Sequence, residues 1–281
     1  MAQNLVAVMT SALALALVAL PAPLASAREP EPITIASPLA SKGPFTAQLL
    51  RPDGPGPFPA IVALHGCSGL LNAKGEVRSR EADWAQLLQA AGYVVLLADS
   101  FNARGFRQIC TIKDREITEE DRADDAAAAA DWLGRQPFVD KARLGLLGWS
   151  HGAQTVLWTV RPGFMTSGTR FKTAVAFYPG CRQVARLPDW QPSTPLTILM
   201  GSADDWTQPG PCRELAQRTG ARFIEYPGAY HGFDTPNAPV RVRKNLAKVR
   251  GEEAHVGTDP AARAAAIREV MTIFAAALGR R

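Results

Sequence analysis

The sequence predicts an α/β domain: a mostly parallel central sheet flanked by helices on both faces. Three observations predict it. Short runs that are apolar throughout alternate with segments of helical spacing, the pattern of strands buried on both faces. No composition break between residues 58 and 281 calls for a second domain. The chain has 281 residues, 47% apolar and 20% charged, enough to bury a large core and too apolar for disorder.

The elements follow in order. Residues 1–27 carry no charged side chain; Leu5–Leu20 is an apolar run, Pro21 and Pro23 break it, and Ala25-Ser26-Ala27 precedes Arg28. That reads as a secretory signal cleaved after Ala27, although the n-region lacks Lys and Arg. The run is short for a membrane span, and a retained anchor is the alternative. Arg28–Gly56 is proline-rich, an irregular arm with one or two antiparallel edge strands at Ile33–Ala36 and Phe45–Arg51. Phe58–His65 predicts a strand, Ser79–Ala91 a helix and Tyr93–Asp99 a strand. Thr118–Arg135 predicts a helix opened by a Thr118/Asp121 capping box, with acidic residues in its first turns. Arg143–Trp149 predicts a strand, His151–Val160 a helix, and Thr173–Tyr178 and Leu196–Met200 further strands. Cys212–Thr219 predicts a helix, Arg222–Tyr226 the last strand, and Ala261–Leu278 a closing amphipathic helix.

The net charge of +5 comes from scattered residues without a basic stripe, so no nucleic-acid partner is expected. No second apolar stretch is long enough to span a bilayer once the signal is gone, and a periplasmic or secreted protein is expected. Cys67, Cys110, Cys181 and Cys212 would then meet an oxidising compartment and form disulfides, with all three pairings open. Neither a metal-ligand spacing nor a nucleotide loop is present, so no metal or cofactor is expected.

Gly148-Trp149-Ser150-His151-Gly152 is a GxSxG pattern between a strand and a helix. This is the setting of a nucleophile elbow, where glycines let backbones pass a strained serine; the plainer reading is a glycine-rich turn. A serine hydroxyl needs a base. Chain order in this architecture is Ser, acid, His, which selects His231, after the last strand, and Asp204, after the penultimate one, with Asp205 as runner-up. His255 reads as solvated. The oxyanion donors fall on the backbone N–H groups of His151 and of Cys67, in the turn Leu64–Gly69. Phe101, Trp149, Tyr178 and Trp206 are candidate substrate-binding residues at strand ends, with Trp149 and Tyr178 equally readable as core. Arg104 and Arg107 read as anion attractors or as a solvated loop.

LHGCSG, DSFNARG, GWSHG, YPGC, GSADDWTQPGPC and YHGFD, spread from about residue 60 to 235, resemble the dienelactone hydrolase family of α/β-hydrolases. The resemblance implies an α/β-hydrolase fold and a nucleophile, acid and base at Ser150, Asp204 and His231. Three positions depart from the founding lactonases: Ser150 stands for their Cys, Gly66 for a Glu in the oxyanion turn, and Thr235 for an Arg that holds the substrate carboxylate. The expectation is therefore an exported, cofactor-independent serine hydrolase of a small-molecule carboxylic ester or lactone. Competing readings are a secreted polyester hydrolase, a small peptidase with the same triad, and a non-catalytic binding protein. Oligomeric state stays open.

Overall fold

A computed structural model describes residues 30–37, 40–165 and 168–279. Residues 1–27, read from the sequence as a signal, lie outside the described residues. Two N-terminal strands, β1 (Glu31–Ile35) and β2 (Phe45–Leu50), are followed by β3 (Phe58–Leu64), α1 (Ser79–Ala90) and β4 (Val94–Asp99). Then come α2 (Glu119–Gly134), β5 (Val139–Trp149), α3 (His151–Thr159), β6 (Phe171–Phe177) and the short α4 (Arg182–Ala185). The chain continues through β7 (Leu196–Gly201), α5 (Pro209–Thr219), β8 (Arg222–Tyr226), β9 (Arg241–Arg243), β10 (Ala254–Val256) and α6 (Pro260–Leu278).

Among the described residues, β1 to β8 form one sheet of eight strands in the order β1-β2-β4-β3-β5-β6-β7-β8. β1 and β2 pair antiparallel, β2 meets β4 antiparallel, and every later pairing is parallel. The central parallel strands are mostly apolar because helices cover both faces: every residue of β3 and β4 is buried, including Asp99 at the end of β4. Edge strand β1 alternates toward exposure. α2 starts where its capping box closes, with Asp121 N–H donating to Thr118 Oγ1 and Thr118 N–H donating to the Asp121 carboxylate. α6 is capped by Asp259, which accepts from Ala262 N–H, and Pro260 opens its first turn.

Three features depart from the sequence expectation. β5 begins at Val139 because Val139 pairs with Phe58 across a register shift. α4 is a single turn too short to leave a periodic signal. β9 and β10 make a separate two-stranded antiparallel sheet; at three residues each they show no alternation.

The four cysteines pair as Cys67–Cys110 and Cys181–Cys212, one of the three possible connectivities. They close loops of 43 and 31 residues, and chain entropy predicts about 4 kcal/mol from each relative to an open unfolded chain. No helix among the described residues is long and apolar enough to cross a membrane.

Candidate active site

The carboxyl ends of β3, β5, β7 and β8 and the loops leaving them converge on Ser150. Ser150 joins β5 to α3 with φ 53° and ψ −116°, a region that residues bearing a Cβ rarely adopt. Its N–H donates to Phe177 O at 2.9 Å. The two glycines of the motif have packing reasons. A Cβ at Gly148 would lie 2.6 Å from the Gly152 carbonyl carbon, and one at Gly152 would strike the Leu64 carbonyl and lie 2.6 Å from His65 O. The turn therefore closes against β3 only with bare backbone at both positions.

His231 lies in the loop after β8. Its Nδ1–H donates to Asp204 Oδ2 at 2.8 Å, and its Nε2 faces Ser150 Oγ at 3.0 Å. A carboxylate only accepts, which puts the ring proton on Nδ1 and leaves Nε2 free to accept from the hydroxyl. Asp204 is fixed from its own loop: Oδ1 accepts from the N–H groups of Trp206 and Thr207, at 2.9 and 2.8 Å. Asp204, His231 and Ser150 are all buried, with Ser150 the most accessible at 8% exposure.

Asp205, the alternative acid, turns the other way. It accepts from the backbone N–H of His255 at 2.9 Å and from its Nδ1 at 2.8 Å. His255 also stacks on Tyr230 with ring centroids 4.9 Å apart. His255 is solvent-accessible, as read, its side chain 43% exposed, but it is also held: adjacent aspartates take separate histidines, and the His255 pair fastens β10 to the Asp204 loop.

Gly66 lies against the serine, since a Cβ there would come within 3.5 Å of Ser150 Cβ. Cys67 follows it, with its carbonyl accepting from Ile109 N–H at 2.8 Å and its sulfur bonded to Cys110. The His151 side chain points away from Ser150 into a buried polar cluster. Arg122 donates from one guanidinium nitrogen to His151 Nδ1 at 2.7 Å and from another to His65 O at 2.8 Å. One buried arginine thus ties the Gly66–Cys67 turn to residue 151. Because Arg122 can only donate, His151 carries its proton on Nε2, facing Glu119 Oε1 at 3.2 Å. Burial lowers the His151 pKa to about 4, against the opposing pull of Glu119, and burial together with Arg122 drives His65 well down as well. Both folded pKa values lie below the unfolded one, so the stability they contribute is present above pH ~6.5 and is lost as pH falls. The melting temperature is expected to drop as pH goes from about 6.5 to 4; a melt that stays flat across that window refutes the assignment.

Of the four aromatic candidates, Trp206 lines the cleft, its ring 4.6 Å from that of His231. Trp149, Tyr178 and Phe101 are fully buried, and their substrate-binding role is corrected. Trp149 and Trp84 each donate an indole N–H to Asp234 Oδ2 at 2.8 Å, and Tyr178 donates its hydroxyl to Oδ1 at 2.5 Å. Phe101 packs edge-on against His65 in the second apolar cluster. Tyr178 still touches the site from below, its ring 4.5 Å from His231; burial, with Asp234 beside it, raises its hydroxyl pKa well above the ordinary value. Arg104 is neither an anion attractor nor solvated, because it forms a two-pronged buried pair with Asp125 at 2.6 and 2.7 Å; Arg107 is exposed.

Asp234, Arg122, Glu119 and Thr207 were missed by sequence reasoning. The sequence carries a signal for two of them: Asp234 closes YHGFD, where two buried indoles require an acceptor, and Thr207 lies within GSADDWTQPGPC.

Two clefts of about 300 Å³ each meet at Ser150, sharing Cys67 and Trp206. One runs toward Arg78, Arg80, Arg241 and Arg243. The other runs toward Arg182, Gln183, Lys248 and Arg250.

Comparison with known proteins fits this architecture. A dienelactone hydrolase from Anabaena variabilis superposes with a TM-score of 0.57 at 17% identity, covering 89% of this chain and 100% of that one. A dienelactone hydrolase-like promiscuous phosphotriesterase from metagenomic libraries gives 0.60 at 19% identity, covering 90% and 100%. Among curated proteins, "Probable dipeptidyl-aminopeptidase B" of Arthroderma gypseum is 34% identical over 140 residues, 48% of this chain. This chain spans only 13% of that relative's length. The family pattern itself extends over residues 45–278, from β2 through the last residue of α6, and the chain belongs to the dienelactone hydrolase family of α/β hydrolases.

Proposed function

We propose that the chain is an exported serine hydrolase that cleaves a carboxylic ester or lactone through an acyl-enzyme. The observation that carries this reading is the unbroken hydrogen-bond relay from Asp204 through His231 to Ser150 Oγ. Ser150 Oγ attacks the acyl carbon as its proton passes to His231 Nε2, and Asp204 stabilises the imidazolium. The ester C–O bond breaks, and His231 returns the proton to the leaving alcohol. Water then attacks the acyl-serine with His231 as base, releasing acid and free Ser150. The backbone N–H groups of Cys67 and His151 stabilise the tetrahedral oxyanion. Two disulfides among four cysteines support export.

A fluorophosphonate probe tests the reading. It is expected to label the wild-type chain and not Ser150→Ala. An unlabelled, folded wild-type protein removes the hydrolase reading and leaves a binding protein. A peptidase is the second reading, favoured by the peptidase name of the Arthroderma gypseum relative. Running p-nitrophenyl esters, lactones and dipeptidyl anilides side by side separates the two.

A further inference from the structure

The segment Arg241–Arg250 carries five cations, Arg241, Arg243, Lys244, Lys248 and Arg250, and no carboxylate. Its first part lines one cleft at Ser150 and its last part lines the other. A single basic strap therefore passes the site from side to side. Arg78 adds to the first cleft and Arg182 to the second.

The carboxylates in the two clefts are already engaged. Glu81 pairs with Arg80, Glu119 with Arg115 and His151, and Asp205 with His255. Among the described residues, Arg78, Arg241, Arg243, Arg182, Lys248 and Arg250 have no carboxylate within ion-pair distance. Arg243 is the sharpest case. It donates to Ser68 Oγ at 2.9 Å and lies 5.2 Å from the Trp206 ring centroid. Burial, then Arg78, Arg241 and Arg80, all push its guanidinium pKa down. Gathering like charges without counter-ions is unfavourable in the free protein and is relieved when a bound molecule brings the negative charge.

We propose that the substrate is an ester carried on an extended polyanion, which lies across Ser150 with negative groups on both sides, against Arg78, Arg241 and Arg243 in one cleft and Arg182, Lys248 and Arg250 in the other. A small monoanion would fill only one side. The proposal rests on the hydrolase reading for the ester, but the charge recognition is separately measurable.

The test uses the full chain and a fluorescein-labelled oligogalacturonate, a polycarboxylate, followed by fluorescence anisotropy. Binding is expected to weaken with salt. Free galacturonate should compete only at a concentration at least about a hundredfold higher, because it forfeits simultaneous contacts, and a neutral maltooligosaccharide should not compete. The bound oligomer should slow fluorophosphonate labelling of Ser150. R241Q/R243Q and K248Q/R250Q should each weaken binding roughly tenfold; if either variant fails to fold, the wild-type salt dependence and the two competitions decide the matter. Equal competition by monomer or by the neutral oligomer overturns the proposal. So does an effect confined to one double variant, or undiminished labelling with oligomer bound. Binding without labelling overturns the hydrolase reading, and with it the ester, but leaves the polyanion recognition standing; labelling without binding overturns the polyanion proposal alone.

Discussion

Ser150→Ala is expected to lower kcat/KM on a p-nitrophenyl ester by about 10⁴-fold or more, with the fold retained. That factor is roughly 5 kcal/mol of transition-state stabilisation; on the proposed mechanism it disappears as a block, because without the serine oxygen no acyl-enzyme forms for His231 and Asp204 to serve. Alanine keeps the Cβ and so fits the same backbone position. What the protein loses is one hydrogen bond to His231, worth about 1 kcal/mol, which moves the melting temperature by roughly 2–4 °C in a domain of this size. Steady-state kinetics beside a thermal melt separates the two effects. A variant within tenfold of wild type removes Ser150 from the chemistry.

Gly152→Ala produces the opposite pattern, a stability loss from a position that does no chemistry. The added methyl meets the Leu64 and His65 carbonyls, which are backbone atoms at the end of a central strand and have no rotamer to yield. Overpacking of this kind costs about 3 kcal/mol or more, a fall of roughly 6–12 °C in melting temperature. Relief requires α3 to back away from β3, which draws residue 151 off the Cys67 turn, so activity falls as well. A melt within about 2 °C of wild type would show that the helix accommodates the methyl and that the tight approach is not required.

Most of the sheet was legible because its central strands carry apolar runs buried on both faces, and α2 was legible from the Thr118 capping box at its start. β9, β10 and α4 were not, because strands of three residues and a single helical turn carry no period. Ser150, His231 and Asp204 could be nominated from chain order, and the structure brings these three side chains into one hydrogen-bonded chain. Which aromatic candidates are core and which wall the cleft was not legible, because sequence places a residue at a strand end without saying which face it takes. Trp149 turns down toward Asp234, while Trp206 turns up beside His231. The partnership of Asp205 with His255, fifty residues apart, leaves no mark in either local sequence.

The left-handed torsion at Ser150 sets reactivity and ruggedness against each other at one position. Every residue with a β-carbon is uncomfortable there, and glycine alone is at ease. On the proposed mechanism, a Ser150→Gly chain is therefore expected to lose activity yet to melt above its alanine counterpart.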